Sequence, residues 1–172
     1  MADASANRME RQLEGLEQVP QFLRTWYRSV VLRRAVPFTG TAGLRFVEMS
    51  RERVQISIAN EKKVQNHVGG VHASAMNLLA ETATGMAVGM NMRDDCTPLA
   101  KELKMSFRRR ATGALTAVAT ISAAQRAELQ ASPKGEIRVP VVVTDEAGVE
   151  PVECEFTWAW IPSAPRKNPQ ES

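Results

Sequence analysis

Val71-His-Ala-Ser-Ala-Met-Asn-Leu-Leu-Ala-Glu81-Thr-Ala-Thr-Gly-Met-Ala-Val-Gly-Met-Asn-Met92 carries a single charged residue, Glu81. Ala, Leu, Met, Val and Gly fill most other positions, so a helix here is apolar nearly all round, and such a helix has to be buried. Asn77, the threonines, the glycines and Glu81 itself make it a core helix rather than a membrane span. A buried carboxylate costs several kcal/mol unless it is paired, hydrogen-bonded or protonated, which marks Glu81 as a candidate functional group. Just upstream lies Asn66-His-Val-Gly-Gly-Val-His72. Gly69 and Gly70 let the backbone approach a ligand, and the helix start behind them leaves peptide N–H groups without intrahelical partners. A carbonyl oxygen can be polarised at such a turn.

On the N-terminal side, residues 8–35 read as helical. Met9, Leu13 and Leu16 share one face, and Phe22, Leu23, Trp26, Val30 and Val31 form another after the break at Pro20. Pro37 and Gly40 close this arm. Ala42, Leu44 and Phe46 alternate with other residues over 41–49, as do Val54, Ile56 and Ile58, giving two strands joined at Ser50-Arg-Glu52. Beyond the long helix, Leu103, Met105 and Phe107 alternate, then Leu115, Ala117, Ala119 and Ile121 after a turn at Thr112-Gly113. The polar stretch 125–134 reads as a link to a strand over 137–144. Residues 145–148 turn the chain into a last strand, 152–161, with Cys154, Phe156, Trp158 and Trp160 on one face.

Two strands, one long apolar helix and four more strands with short turns call for a sheet that wraps the helix on several sides. The expected fold is therefore α+β: a hotdog fold, a curved antiparallel sheet around one long helix, with an N-terminal helical arm. Ala73, Ala75, Ala80, Ala83, Gly85, Ala87 and Gly89 allow the sheet a close approach. The expected divisions are a helical arm over 1–36, a hotdog domain over 37–162 and a disordered tail over 163–172.

With 172 residues the chain has room for one sizeable core. Its 44% hydrophobic and 24% charged content is that of a soluble globular protein. No secretory h-region opens the sequence, and Cys96 and Cys154 alone make neither a disulfide framework nor a zinc spacing, so the expected location is the cytoplasm. A net charge of +3 is too mild for a nucleic-acid protein, yet the basic residues at 24–34 and 108–110 could receive an anionic tail.

Asn66, His72 after five intervening residues and Glu81 after eight more match in spacing an Asn…His-Gly-Gly…Asp/Glu signature. Pro37-Phe-Thr-Gly-Thr, Val71-His-Ala-Ser-Ala, Leu103-Lys-Met-Ser-Phe-Arg-Arg-Arg-Ala-Thr-Gly-Ala-Leu-Thr-Ala and a closing Trp158 extend the pattern over most of 37–162. These residues resemble the PaaI-like acyl-CoA thioesterases of the hotdog superfamily, and the wider pattern is similar to an uncharacterised branch of that group. Here His72-Ala73-Ser74 stands for His-Gly-Gly, and the helix acid is Glu rather than Asp.

The resemblance implies hydrolysis of an acyl-CoA or related thioester, with no metal or redox cofactor. N–H groups near His72 and Ala73 would form the oxyanion site, helped by the positive end of the helix. Asn66 would hold the water or the carbonyl, with Gly69, Gly70 and His67 lining the substrate turn. Glu81 would act as general base or as nucleophile through an acyl anhydride, its pKa raised by an apolar setting. Arg108, Arg109 and Arg110 would meet the phosphates of CoA. The nine residues from His72 to Glu81 span roughly 13 Å of helix, beyond hydrogen-bond reach. Glu81 of one protomer is therefore expected to serve the turn of its partner, in a homodimer or a dimer of dimers.

Three alternatives remain open at this point, the emptiest of them a structural role in oligomerisation. His67 and Glu81 resemble the His…Glu pair of hotdog acyl-dehydratases, and a non-catalytic acyl-CoA sensor would keep the pocket without needing the carboxylate. The basic segment 22–34 is expected to pack on the sheet and lend side chains to an acyl pocket, the other possibility being a membrane surface.

Overall fold

The computed structural model describes residues 6–17 and 19–164. Helices α1 (Arg8–Glu17), α2 (Gln21–Ala35) and α3 (Pro37–Ala42) come first, followed by strands β1 (Arg45–Met49) and β2 (Arg53–Ile58). The long helix α4 (Ala73–Asn91) leads to β3 (Cys96–Phe107), β4 (Leu115–Thr120) and helix α5 (Ala123–Ala131). Strands β5 (Gly135–Val139), β6 (Val141–Asp145) and β7 (Val152–Pro162) complete the chain. Among the described residues the strands form one antiparallel sheet ordered β1-β2-β4-β6-β7-β3, with β5 also pairing β7.

The sheet wraps α4. Leu79, Ala80, Ala83, Ala87 and Val88 of the helix are buried together with Val54, Ile56 and Ile58 of β2 and Leu115, Ala117 and Ala119 of β4. Their alternation places each apolar set on the inner face, and the register Ile56↔Ala117 and Val54↔Ala119 sets bulky residues beside small ones. Burying each such Leu, Ile or Val contributes about 1.5–3 kcal/mol. The chain is thus an α+β hotdog fold with α4 as its axis.

The arm is tied to the far end of that axis by Asn7. Its amide donates to the Gly89 and Met92 carbonyls at 2.7 and 2.9 Å, groups that the end of α4 leaves unpaired, while its Oδ1 accepts the Glu10 N–H at 2.9 Å. One side chain caps two helices. Glu10 and Arg51 add a two-point ion pair at 2.6 and 2.7 Å.

Several elements differ from the sequence expectation. Residues 41 and 42, expected to open a strand, instead end helix α3, since Pro37 suits a first helical position and Gly43, at φ +77°, ends the turn, so that β1 starts only at Arg45. Strand β3 starts at Cys96 and tolerates Pro98 because it lies at the sheet edge. Pro140 divides the expected strand over 137–144 into β5 and β6. The polar link contains α5, whose Ser122 and Gln125 form a reciprocal cap. On α2 the core is met by Ser29 and Leu32, whereas Leu23, Trp26 and Val31 of the expected apolar face are exposed. Residues 165–172 of the expected tail, and the Leu16 side chain, lie outside the described residues.

Trp158 of β7 fixes the sheet to α4. Its indole N–H donates to the Thr84 hydroxyl at 2.9 Å, and its ring lies over Gly85, where a Cβ would come within 2.7 Å of it. Gly85→Ala is expected to destabilise the fold by about 1–2 kcal/mol despite alanine's better helix propensity, as read by urea denaturation.

Candidate active site

The turn before α4 is built by Asn66. Its Oδ1 accepts the N–H groups of Val68 and Gly70 at 3.0 and 3.1 Å, and its own N–H donates to the Gly70 carbonyl at 2.8 Å. Gly69 has φ +78°, a conformation open to glycine at little cost. His72 caps the helix: its Nδ1 accepts the Ser74 N–H at 3.0 Å, and its backbone N–H donates to the Val64 carbonyl at 2.8 Å. Of the two N–H groups expected to form an oxyanion site, that of His72 is therefore already spent. The Ala73 N–H, at the first helical position, meets no acceptor among the described residues.

Ala73, Asn77 and Glu81 recur at intervals of four, so they share one face of α4. That face lines a groove of about 620 Å3 whose opposite wall is Leu103, Met105 and Phe107 of β3, with Phe38 of α3 at the side. These strand residues point inward, as the pairing of Leu103 with Phe156 and Met105 with Cys154 shows. Beside the groove lies a second cavity of about 300 Å3 lined by Asn66, Gly70, Arg109 and Arg110. The two meet at Ala73 and Phe107, which line both.

Glu81 is partly buried in the groove. Burial pushes its carboxyl above the usual glutamate range, and a hydrogen bond from the Thr82 hydroxyl, at 3.4 Å, offsets this in part. No cation pairs with it among the described residues. It is a carboxyl of raised basicity facing open space, with an apolar wall opposite.

The other expected residues are distributed unevenly. Arg109 and Arg110 line the second cavity, and Arg110 also donates to the Val68 carbonyl at 2.6 Å. Arg108 instead pairs with Glu153 at 2.5 Å. His67 is exposed and lies outside the residues lining the Glu81 groove, so one chain does not bring the pair of the dehydratase reading together. Asn77, Leu78 and Phe38 are groove residues that sequence reasoning passed over. Asn77, one turn before Glu81 on the same face, could have been found from its spacing alone.

A family model described as a domain of unknown function, DUF4442, matches residues 24–161. The chain belongs to the DUF4442 family. Among solved structures it is similar to a Pseudomonas aeruginosa protein of unknown function described as a probable thioesterase: TM-score 0.73, 23% identity, covering 84% of this chain and 97% of that one. A Haemophilus influenzae thioesterase gives TM-score 0.61 at 14% identity, covering 73% and 82% of the two chains. A thioesterase family protein of Silicibacter pomeroyi gives 0.64 at 16%, covering 78% and 96%. These likenesses agree on the hotdog fold. Among curated proteins none matches the chain.

The raised Glu81 pKa has a stability consequence. The folded chain holds this proton more tightly than the unfolded chain, so stability falls as pH rises from the unfolded carboxyl value of about 4.3 through the raised folded value. Glu81→Gln is expected to melt at a higher temperature than the wild type near neutral pH, with the difference vanishing below about pH 4. Calorimetry across that range checks it.

Proposed function

We propose that this DUF4442 protein is a hydrolase of acyl thioesters of the acyl-CoA type, working at sites shared between the two chains of a homodimer. The observation that carries this reading is Glu81, a carboxyl of raised pKa and without a cationic partner among the described residues, in an apolar groove that meets an unpaired N–H at Ala73. The thioester carbonyl would accept from the Ala73 N–H, where the positive end of α4 favours the developing oxyanion. Ionised Glu81 would take a proton from water as the water attacks and pass it to the departing thiolate. Alternatively it would attack the carbonyl directly, expelling the thiolate as an acyl anhydride forms, and water would then split the anhydride to the free acid and Glu81, supplying the proton that the thiolate takes up. Arg109 and Arg110, beside the same N–H, offer charge to phosphates of the carrier. Asn66 holds the turn and lines that cavity, where its amide nitrogen could meet the substrate. The hotdog likeness to thioesterases supports the same reaction class by analogy.

The dimer follows from geometry. Eight residues of helix put Glu81 about 12 Å from Ala73, too far for one substrate carbonyl to meet both within a chain. Strand β3 has a twelve-residue length at the sheet edge, and Leu99, Leu103 and Phe107 on it are exposed. Such an edge invites another strand. A second copy across a two-fold axis would cover it and bring the partner's Glu81 to the Ala73 turn. The free cysteines, Cys96 and Cys154, suit a reducing compartment such as the cytoplasm, and no described helix is long and apolar enough to cross a membrane.

Glu81→Gln is expected to lower thioester hydrolysis by about 100-fold or more while retaining substrate binding, and wild-type activity is expected to fall as pH drops through the raised Glu81 value. Ala73→Pro removes the one N–H at a position where proline is tolerated, since His72 before it is already extended at ψ 143°. Mixing the two inactive variants is expected to restore about a quarter of wild-type activity, because random reassortment leaves one intact site in half of the dimers. Full activity of Glu81→Gln would overturn the enzymatic reading. Failure of exchanged variants to complement would overturn the shared site.

A further inference from the structure

Helix α2 turns to solvent a face of the kind that helices usually bury. Leu23, Trp26, Tyr27 and Val31 are exposed, Trp26 by 64%, and Phe22 at the helix start by 83%. The helix has no need of these residues for its own attachment. Ser29 accepts the Phe46 N–H at 2.9 Å, Leu32 is buried, and Arg33 donates to the carbonyls of Leu44 and Gly43 at 2.6 and 2.8 Å. An exposed aromatic and aliphatic surface of this extent marks a contact site.

The charge on α2 identifies what it contacts. Its sequence, QFLRTWYRSVVLRRA, holds four arginines and no acid. Arg33 bonds to neutral carbonyls, so its charge remains. Arg34 is exposed, and by helical spacing it falls within the apolar face, one turn beyond Val30 and Val31. A second copy docked helix to helix on this face would offer Arg34 only the α2 sequence, which holds no carboxylate, and burial of Arg34 without one would be costly. The boundary of an anionic bilayer meets both demands. Phosphates there accept from guanidinium groups, and Trp and Tyr settle at headgroup depth with their rings in the apolar region.

We propose that α2 docks this protein on an anionic lipid surface, lying in the interface plane with Phe22, Leu23, Trp26 and Tyr27 inserted and Arg34 at the headgroups. The proposal stands on α2 alone and holds whatever the Glu81 groove binds. α3 packs on α2, and its exposed Phe38 lines that groove, so docking brings the groove mouth near the bilayer.

Trp26 makes the test direct, because Trp158 and Trp160 are only 6% and 1% exposed and changes in indole emission on binding report α2. The full chain is mixed with phosphatidylcholine vesicles, with and without phosphatidylglycerol. Expected are co-sedimentation with the anionic vesicles, a blue shift of Trp26 emission, quenching by brominated acyl chains, and weakening by salt. Phe22→Ser/Trp26→Ser, checked for unchanged melting temperature, is expected to bind at least about tenfold more weakly. Absence of binding to either vesicle would overturn the proposal, as would undiminished binding by the double variant. Loss of dimer mass in that variant, with wild-type Trp26 emission blue-shifted by protein concentration alone, would assign the face to a second copy instead.

Discussion

A helix that is apolar on nearly every side has to be covered on nearly every side, and the rest of this structure answers to that demand on α4. A flat sheet covers one face of a helix. The sheet here curves, and the alanines facing each other across α4 and β4 let it come close enough for the outer strands to reach further round. One chain's sheet still ends at β3, and the strip of α4 beside that edge carries Ala73, Asn77 and Glu81. Asn77 and Glu81 thus stand where the wrapping stops. The groove is the part of the α4 surface that the described sheet leaves open.

One turn beyond Glu81, at Gly85, the sheet comes into direct contact with α4. The Trp158 ring can lie directly on the helix only because no side chain intervenes, and the Thr84 hydroxyl fixes the ring's orientation. Trp158 pairs with Ala100 of β3 in the neighbouring strand, so this stacking contact holds that part of the sheet close to α4.

Much of this was legible in the sequence. The lone charge in 71–92 and the period-two alternations at 54–58, 115–121 and 152–161 gave helix, strands and wrapping, because burial on a single face leaves a pattern that local chemistry cannot disguise. The misread elements are those decided by caps and by proline. Ser122 with Gln125, and Pro37 with Gly43, are short signals that a reading by polarity passes over. Periodicity also finds an apolar stripe without saying what covers it. On α2 the stripe at Leu23, Trp26 and Val31 faces out while Ser29 and Leu32 face in, because the core side is chosen by neighbours distant in sequence. Within the site, spacing placed Asn66 near the helix start but could not show that its oxygen is used to close the turn, nor that Arg108 parts from Arg109 and Arg110 to pair with Glu153.

The absence of a cation beside Glu81 among the described residues and its raised pKa are two sides of one fact. An arginine in the groove would stabilise the carboxylate and lower its pKa, but it would also weaken the group as a base and fill the space in front of it. Thr82, at 3.4 Å, supplies a weak bond that steadies the side chain without quenching it. The unfavourable burial of Glu81 is tolerable because the apolar remainder of α4 stabilises the helix in place many times over. The positive end of α4 lies too far along the helix to relieve Glu81 within its own chain, since a terminal partial charge acts over about one turn. In the proposed dimer the partner's turn would bring that positive end within reach of Glu81, with the thioester carbonyl between them. The same separation that keeps the carboxyl basic in one chain would make its chemistry depend on two.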